Sequence, residues 1–229
     1  MGRVYLVTGA NRGIGLGITR ALAARGDRVI ACSRKPARSW PAGVRWIRLD
    51  VADDRSIARL VGALAGEPVD VLINNAGVSE TVAGRSRSGP ALGKLQRQTL
   101  DTLFQTNAAG PLMLTQAVLC NLERGDSRFV VNLSSDLASI GGNTLGRWYA
   151  YRASKTALNM ITRCLAVELA PRRFTCVAVS PGWARTAMGG RQAPMSVATS
   201  VKALVRLFDR VTREDSGKFL SYDGKSIGW

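Results

Sequence analysis

Apolar segments of strand length alternate with amphipathic segments of helix length along almost the whole chain. The strand-like segments are uniformly apolar, which is typical of parallel strands covered by helices on both faces of a sheet. The sequence therefore predicts an α/β, doubly wound Rossmann fold with about seven parallel strands. The predicted strands cover residues 4–8, 28–33, 44–49, 69–74, 129–134, 174–180 and 219–222. The predicted helices cover residues 16–25, 56–65, 95–122, 151–169 and 196–210.

No feature of the sequence divides the chain into parts. Its 229 residues are 46% hydrophobic and 21% charged, and they contain no linker, internal repeat or low-complexity tract. We therefore expect residues 1–229 to form a single domain. A membrane span would need about 18 or more apolar residues in a row, and a signal peptide would need a longer apolar run than the N-terminal segment offers. The chain is predicted to be cytoplasmic, with no membrane partner.

Two long segments, residues 78–94 and 183–194, have no strand or helix pattern and are polar or rich in glycine. Each follows the end of a predicted strand. Long loops at this end of a doubly wound sheet commonly cover a ligand, so we expect both to line a binding cleft.

The types of residue present exclude several kinds of chemistry. Histidine is absent, which removes histidine-based triads, histidine proton relays and most zinc sites, so no metal is expected. The four cysteines lie far apart, form no C-x-x-C pair and have apolar neighbours. We therefore predict that they are small buried side chains. They are Cys32, Cys120, Cys164 and Cys176.

The formal net charge of +16 raises the question of nucleic-acid binding. The basic residues are mostly arginines spread along the chain, and no basic run is longer than two residues. The favoured interpretation is an arginine-rich surface that attracts phosphate-bearing ligands, with no nucleic-acid partner. A dedicated nucleic-acid-binding protein is the alternative.

A glycine-rich turn, Thr8-Gly9-Ala10-Asn11-Arg12-Gly13-Ile14-Gly15, lies between the first predicted strand and the first predicted helix. Glycines let the backbone approach a pyrophosphate closely, and the start of the helix offers unpaired N–H groups. The turn predicts a dinucleotide site, and a tight turn without a ligand is the alternative. The predicted contacts are Gly9, Asn11, Arg12, Gly13, Ile14 and Gly15.

The end of the second predicted strand indicates which dinucleotide binds. An acidic residue there would accept hydrogen bonds from a ribose 2′-hydroxyl and repel a 2′-phosphate. This chain has Ser33, Arg34 and Lys35 instead, and Arg12 of the glycine turn can reach the same phosphate. Arginine suits phosphate well. We therefore predict NADP(H) rather than NAD, with solvated loop charges at Arg34 and Lys35 as the alternative.

Tyr151 and Lys155 are four residues apart in a predicted helix and so share one of its faces. A phenol with its ordinary pKa of about 10 is a poor proton donor and acceptor near neutrality. A nearby ammonium group favours the phenolate and is expected to lower that pKa. The pair is therefore a candidate acid–base group, and an exposed pair without a function is the alternative.

Five short motifs occur in order along nearly the whole chain, and together they resemble the short-chain dehydrogenase/reductase family. Within the family, the sequences around Tyr151 and Trp183 look most like C-factor and sniffer-type carbonyl reductases. The motifs are the glycine turn, Asn74-Asn75-Ala76-Gly77, Asn107 in a helix, Tyr151-Arg152-Ala153-Ser154-Lys155 and Pro181-Gly182-Trp183-Ala184-Arg185-Thr186.

The resemblance implies a catalytic set of Asn107, Ser135, Tyr151 and Lys155. Ser135 would hydrogen-bond the substrate carbonyl at the end of the fifth strand, and Ser139 is the alternative for this role. Lys155 would hold the nicotinamide ribose, and Asn107 would support a proton relay. The implied function is an NADPH-dependent oxidoreductase that interconverts a small-molecule carbonyl and an alcohol. A non-redox cofactor-sensing or signalling protein on the same scaffold is the alternative.

The resemblance also implies further contacts. Trp183 would face the substrate, although simple packing is equally expected. A homodimer or homotetramer would form through the helices at residues 95–122 and 151–169. Asn107, Tyr151 and Lys155 would contact the cofactor as well as the substrate. The other implied cofactor contacts are Ser33, Arg34, Asp50, Val51, Asn74, Ala76, Gly77, Pro181, Gly182, Ala184 and Thr186.

Overall fold

A computed structural model describes residues 2–80 and 91–229, so most of the predicted loop at residues 78–94 lies outside the described residues. Seven parallel strands form one sheet with the order β3-β2-β1-β4-β5-β6-β7. The strands are β1 Val4–Thr8, β2 Arg28–Ser33, β3 Val44–Arg48, β4 Val71–Asn74, β5 Phe129–Leu133, β6 Thr175–Ser180 and β7 Phe219–Ser221. The helices are α1 Gly13–Ala24, α2 Asp54–Leu64, α3 Arg97–Phe104, α4 Gly110–Ala117, α5 Leu119–Arg124, α6 Tyr149–Glu168 and α7 Val197–Arg210.

The sheet is covered on both faces because alternate residues of its buried strands enter two separate apolar clusters. Leu6 and Leu72 pack on the face covered by α2, α4, α5 and part of α6. Val7 and Ile73, one position further along the same strands, pack on the face covered by α1 and α7. This arrangement confirms the predicted doubly wound Rossmann fold.

The prediction of one continuous helix over residues 95–122 is wrong. The segment is divided into α3, a π-helical turn at Gln105–Ala109, α4 and α5. Pro111 occupies the first turn of α4 and has no N–H group, so the carbonyl of Asn107 cannot receive the usual hydrogen bond from residue 111. A second interruption falls at Val118, which has non-helical dihedral angles between α4 and α5. The π-helical turn places Asn107 at a widened point of the helix.

Two of the four cysteines depart from the prediction. Cys32 and Cys176 lie in buried strands, and burial raises the pKa of each thiol to about 12. Cys120 on α5 and Cys164 on α6 are exposed. Apolar neighbours in sequence do not imply burial here, because adjacent residues of a helix point in different directions.

Among the described residues, no helix combines the length and the apolar composition needed to cross a membrane. The same part of the chain contains no cluster of three or more cysteine, aspartate or glutamate side chains that could hold a metal ion.

Candidate active site

The candidate site lies where the order of the strands reverses, between β1 and β4. From β1 the chain winds outward through β2 and β3, and from β4 it winds in the opposite direction through β5, β6 and β7. Adjacent loops diverge at such a point and leave a crevice at the carboxyl ends of the strands. The glycine turn, the Asn74–Gly77 motif, Ser135 and Pro181 all follow strands at this edge.

The glycine turn has the close backbone packing that its sequence predicted. Gly9 and Gly13 adopt left-handed conformations, with φ of 64° and 55°. A Cβ atom on Gly9 would lie 2.9 Å from the Cα of Ala76, and one on Gly15 would overlap the carbonyl oxygen of Gly9. α1 begins at Gly13, three residues earlier than predicted, and no acidic residue or side-chain cap occupies its first turn. The free N–H groups and the helix dipole therefore suit a phosphate group.

Thr8 and Asn75 join the glycine turn to the Asn74–Gly77 motif, and neither was predicted as a site residue. The hydroxyl of Thr8 accepts hydrogen bonds from the backbone N–H groups of Asn75 and Ala76, at 3.0 and 2.9 Å. The Asn75 amide donates to the carbonyl oxygen of Thr8 at 2.7 Å. The buried Asn74 side chain donates to Asn132 of β5 at 2.8 Å, so it holds strands together rather than facing the cleft.

Ser33 lies at the carboxyl end of β2, where the 2′-phosphate of NADP(H) was predicted to bind. Its hydroxyl donates to the carbonyl oxygen of Lys35 at 2.7 Å and accepts from the indole of Trp46 at 3.0 Å. Arg12, Arg34 and Lys35 are exposed. Within residues 2–80 and 91–229 these three cations form no salt bridge, so they are available to an anionic ligand.

The two predicted adenine contacts follow β3. The carboxylate of Asp50 accepts from the N–H of Ala52 at 3.1 Å, which closes a local turn. Val51 is buried, and its backbone packs closely against Gly110 at the start of α4. The structure therefore places both residues at the cleft edge of the sheet, Asp50 partly exposed and Val51 largely covered.

Asn107 is fully buried, and its side chain joins two elements of the site. The amide oxygen accepts from the N–H of Val78 at 2.9 Å, and the amide nitrogen donates to the carbonyl oxygen of Val78 at 2.9 Å and to the hydroxyl of Ser154 at 3.0 Å. A Cβ atom on Gly77 would lie 3.3 Å from the amide oxygen of Asn107 and 3.5 Å from the Nζ of Lys155. Gly77 thus leaves space between these two side chains.

The hydroxyl of Ser135 lies near enough to the phenol of Tyr151 to lower the pKa of that phenol. Ser139, the alternative to Ser135, has other partners: its hydroxyl accepts from the N–H of Gly142 at 3.1 Å and donates to the carbonyl oxygen of Trp229 at 3.5 Å. Ser134 is buried and donates to Asn159 at 2.7 Å. Of the three serines, Ser135 is the one that affects the Tyr151 phenol, and its catalytic role stays a prediction.

Lys155 is buried, and its Nζ donates to the carbonyl oxygen of Leu133 at 2.7 Å. Burial lowers the pKa of Lys155 to about 8. The expectation that Lys155 lowers the pKa of Tyr151 is wrong for this structure. Burial raises the pKa of Tyr151 above its ordinary value, and the Asp136 carboxylate adds to the increase, while the hydrogen bond from Ser135 opposes it.

The segment after β6 closes one side of the cleft. Gly182 has a φ of 73°, and a Cβ atom there would lie 2.8 Å from the ring of Tyr222. Thr186 reaches the glycine turn, because a Cβ atom on Gly13 would lie 3.5 Å from its methyl group. Trp183 is 57% exposed and donates from its indole to the carbonyl oxygen of Gly189 at 2.8 Å, so it is not a core residue.

Two further residues of this segment, Ala184 and Pro181, were predicted to contact the cofactor. Both are held through their backbone atoms. Ala184 is buried and forms a bridge with Met195. The carbonyl oxygen of Pro181 accepts from the hydroxyl of Ser200 on α7 at 2.6 Å. The segment is therefore anchored at both ends next to the cleft.

Comparison with known proteins agrees with this geometry. Residues 3–196 match the family described as short chain dehydrogenase. The C-signal protein of Myxococcus xanthus is 41% identical over 162 residues, which cover 71% of this chain and 93% of that protein. The carbonyl reductase Sniffer of D. melanogaster has a TM-score of 0.88 and 31% identity, with all of both chains covered.

A further solved structure is the NADPH-bound carbonyl reductase from chicken fatty liver. It has a TM-score of 0.87 and 32% identity, and the match covers 100% of this chain and 99% of that one. The family match extends over most of the chain, and both solved carbonyl reductases share the complete sheet. The chain belongs to the short-chain dehydrogenase/reductase family of oxidoreductases and is similar to its sniffer and C-signal members.

Proposed function

We propose that the protein is an NADPH-dependent reductase that interconverts a small-molecule carbonyl and an alcohol. The observation that carries this proposal is that Ser135 lies near enough to Tyr151 to lower the pKa of its phenol, while the buried Lys155 lies one helical turn beyond Tyr151 on α6. A hydroxyl and a phenol placed together can both bind one carbonyl oxygen. The chain is proposed to act as one domain over residues 1–229.

The residues of the cleft fit a phosphorylated dinucleotide. The start of α1 has no acidic residue in its first turn, and the backbone packing at Gly9 and Gly15 excludes side chains from the turn. No carboxylate lies at the end of β2, where Ser33 is followed by two exposed cations. The NADPH in the solved chicken relative supports the same choice. When bound, NADPH would supply the hydride that is added to the carbonyl carbon.

Tyr151 is proposed to supply the proton. Because the pKa of the phenol is raised by burial, Tyr151 carries its proton at neutral pH and can donate it to the substrate oxygen as negative charge develops there. Ser135 would donate a second hydrogen bond to that oxygen in the complex. The ammonium group of Lys155 would hold the ribose hydroxyls of the cofactor.

Asn107 is proposed to connect the site to solvent through its backbone. Its buried side chain bonds to Val78 and Ser154 and so holds the site together. Its carbonyl oxygen lacks the usual helical donor because residue 111 is proline. A water molecule held there could relay a proton to Lys155 and from there to Tyr151.

We also propose a homodimer or homotetramer in the cytoplasm. Support comes from apolar side chains on the outer surfaces of α4 and α6. Met113, Met160 and Val167 are 38%, 64% and 62% exposed. The proposal requires that these side chains belong to a contiguous apolar patch, because such patches mark protein interfaces.

The test is NADPH oxidation measured over a panel of aldehydes, ketones and quinones. We expect turnover with at least one class, and loss of that turnover in Tyr151→Phe. A non-redox protein would bind NADPH and oxidise none of the panel. Binding of nucleic acid that depends on salt and not on NADPH would favour the nucleic-acid alternative.

A further inference from the structure

The chain enters α6, the helix that carries Tyr151, through an unusual turn. Gly146, Arg147 and Trp148 have consecutive left-handed conformations, with φ of 61°, 55° and 55°. L-amino acids rarely adopt this conformation, so such a turn persists only when its surroundings hold it in place. Trp148 is the residue before the helix, and its side chain makes no capping hydrogen bond. The first N–H groups of α6 therefore need a partner from elsewhere.

Glu80 supplies that partner from 70 residues away along the chain. Its Oε1 accepts a hydrogen bond from the N–H of Ala150, the second residue of α6, at 2.6 Å. The N–H of Tyr151 also favours the charged form of this carboxyl and opposes the rise in the pKa of Glu80 that burial causes. A negative charge at the start of a helix is favoured by the helix dipole. Within residues 2–80 and 91–229 no lysine or arginine pairs with Glu80.

Glu80 is well anchored because the segment before it is bound to the rest of the site. Val78, two residues earlier, forms hydrogen bonds with the Asn107 side chain through both its N–H and its carbonyl. Asn107 in turn donates to Ser154, whose hydroxyl donates to the carbonyl oxygen of Tyr151 at 2.9 Å. One chain of contacts thus holds the backbone of Tyr151 from the carbonyl side, and Glu80 holds the preceding residue from the N–H side.

We propose that Glu80 is a positioning residue for Tyr151: it caps α6 from the loop after β4 and so fixes the direction of the phenol toward Ser135. This inference rests on the proposed function, because a fixed phenol matters only if Tyr151 transfers a proton. The Asn74–Gly77 motif ends three residues before Glu80, so Glu80 lies outside it. Nothing about the sequence spacing of Glu80 and Ala150 indicates the contact.

The experiment compares Glu80→Ala, Glu80→Gln and a control that loses a similar cap on another helix, α2. The control is Asp53→Ala, because Asp53 precedes α2 and accepts from the N–H of Arg55 at 2.9 Å. We measure kcat and KM for a carbonyl substrate, and Kd for NADPH. A misplacement of about 1 Å can lower a rate by about a hundredfold.

For Glu80→Ala we expect kcat to fall about tenfold, with KM and the NADPH Kd changed by less than about threefold. Glu80→Gln keeps an oxygen acceptor and should restore kcat to within about threefold of wild type. Asp53→Ala should leave kcat unchanged. Wild-type kcat in Glu80→Ala, or an equal loss in Asp53→Ala, would overturn the proposal. If Glu80→Ala does not fold, Glu80→Met is compared with Glu80→Gln instead, because methionine keeps the length of the side chain and has no acceptor oxygen. Equal kcat values for these two variants would overturn the proposal.

A double variant separates this proposal from the proposed function. If Glu80 acts through Tyr151, adding Glu80→Ala to Tyr151→Phe causes no further loss of the remaining turnover. A further loss of about tenfold would show that Glu80 acts otherwise. If the proposed function is wrong, the result is different: Tyr151→Phe alone would keep wild-type turnover, whatever the Glu80 variants do.

Discussion

The Nζ of Lys155 donates a hydrogen bond to the carbonyl oxygen of Leu133 at 2.7 Å, at the last residue of β5. This contact holds an ammonium group in a buried position two residues before Ser135. Water is largely excluded there, so the charge is poorly solvated and the pKa of Lys155 falls to about 8. Lys155 therefore makes the folded protein less stable wherever it is charged.

The first prediction is that this cost depends on pH. Between pH 8 and 10.5 the unfolded chain keeps the Lys155 proton and the folded chain does not, so this residue makes stability rise with pH across that window. Lys155→Met should therefore be more stable than wild type at pH 8, and this advantage in the free energy of unfolding should be about 3 kcal/mol smaller at pH 10.5. Urea unfolding at both ends measures it, with the exposed Lys202→Met as control. A gain that stays constant with pH would contradict the prediction.

The second prediction separates the two candidate serines. Ser135 lies near enough to Tyr151 to lower the pKa of its phenol, whereas Ser139 is bonded within its own loop and to Trp229. Ser135→Ala should lower kcat about a hundredfold, which is the usual effect of removing one donor to a developing oxyanion. Ser139→Ala should change kcat by less than about threefold. Steady-state kinetics on both variants decides, and the reverse order of effects would move the catalytic role to Ser139.

The third prediction concerns the choice of cofactor. Arg34 is exposed next to Ser33 at the end of β2, where a 2′-phosphate would lie. Arg34→Glu replaces attraction by repulsion and should weaken NADPH binding about tenfold to a hundredfold, with little effect on NADH. Titration calorimetry with both cofactors measures this. The control is Arg210→Glu, the same charge reversal at the end of α7, which should leave both affinities unchanged. If Arg34→Glu weakens the binding of NADPH and NADH equally, the 2′-phosphate does not bind at the end of β2.

The fourth prediction tests the packing of the glycine turn. A Cβ atom on Gly15 would overlap the carbonyl oxygen of Gly9 and the amide of Asn75, so Gly15→Ala must displace the turn. We expect a loss of about 1–3 kcal/mol in stability and at least about tenfold weaker NADPH binding. Gly62→Ala in α2 is the control, because a Cβ atom there meets no atom within 4 Å and should stabilise the protein by up to about 1 kcal/mol. Unchanged NADPH affinity in Gly15→Ala would argue against pyrophosphate binding at this turn.

The sheet could be predicted from the sequence because most of its strands are short apolar runs, and runs of this kind are covered on both faces in a parallel sheet. The sequence also predicted that Ser135 follows β5 and that Tyr151 and Lys155 share one helix, and the structure places them so.

Other features depend on contacts that sequence spacing does not reveal. The break near Asn107 had a signal in Pro111, but hydrophobic periodicity alone predicted a continuous helix. The exposure of Cys120 and Cys164 depends on which helix face meets the core. The direction of the pKa shift at Tyr151 depends on burial and on Asp136, which no local motif indicates.

The most direct test of the account is a comparison of wild type with Tyr151→Phe, in which kcat and the NADPH Kd are measured on the same preparations. Phenylalanine keeps the ring and removes only the hydroxyl that would donate the proton. We predict that kcat falls by a factor of about a hundred or more, while the NADPH Kd stays within about threefold of wild type. Turnover equal to that of wild type would contradict the assignment of Tyr151 as the proton donor.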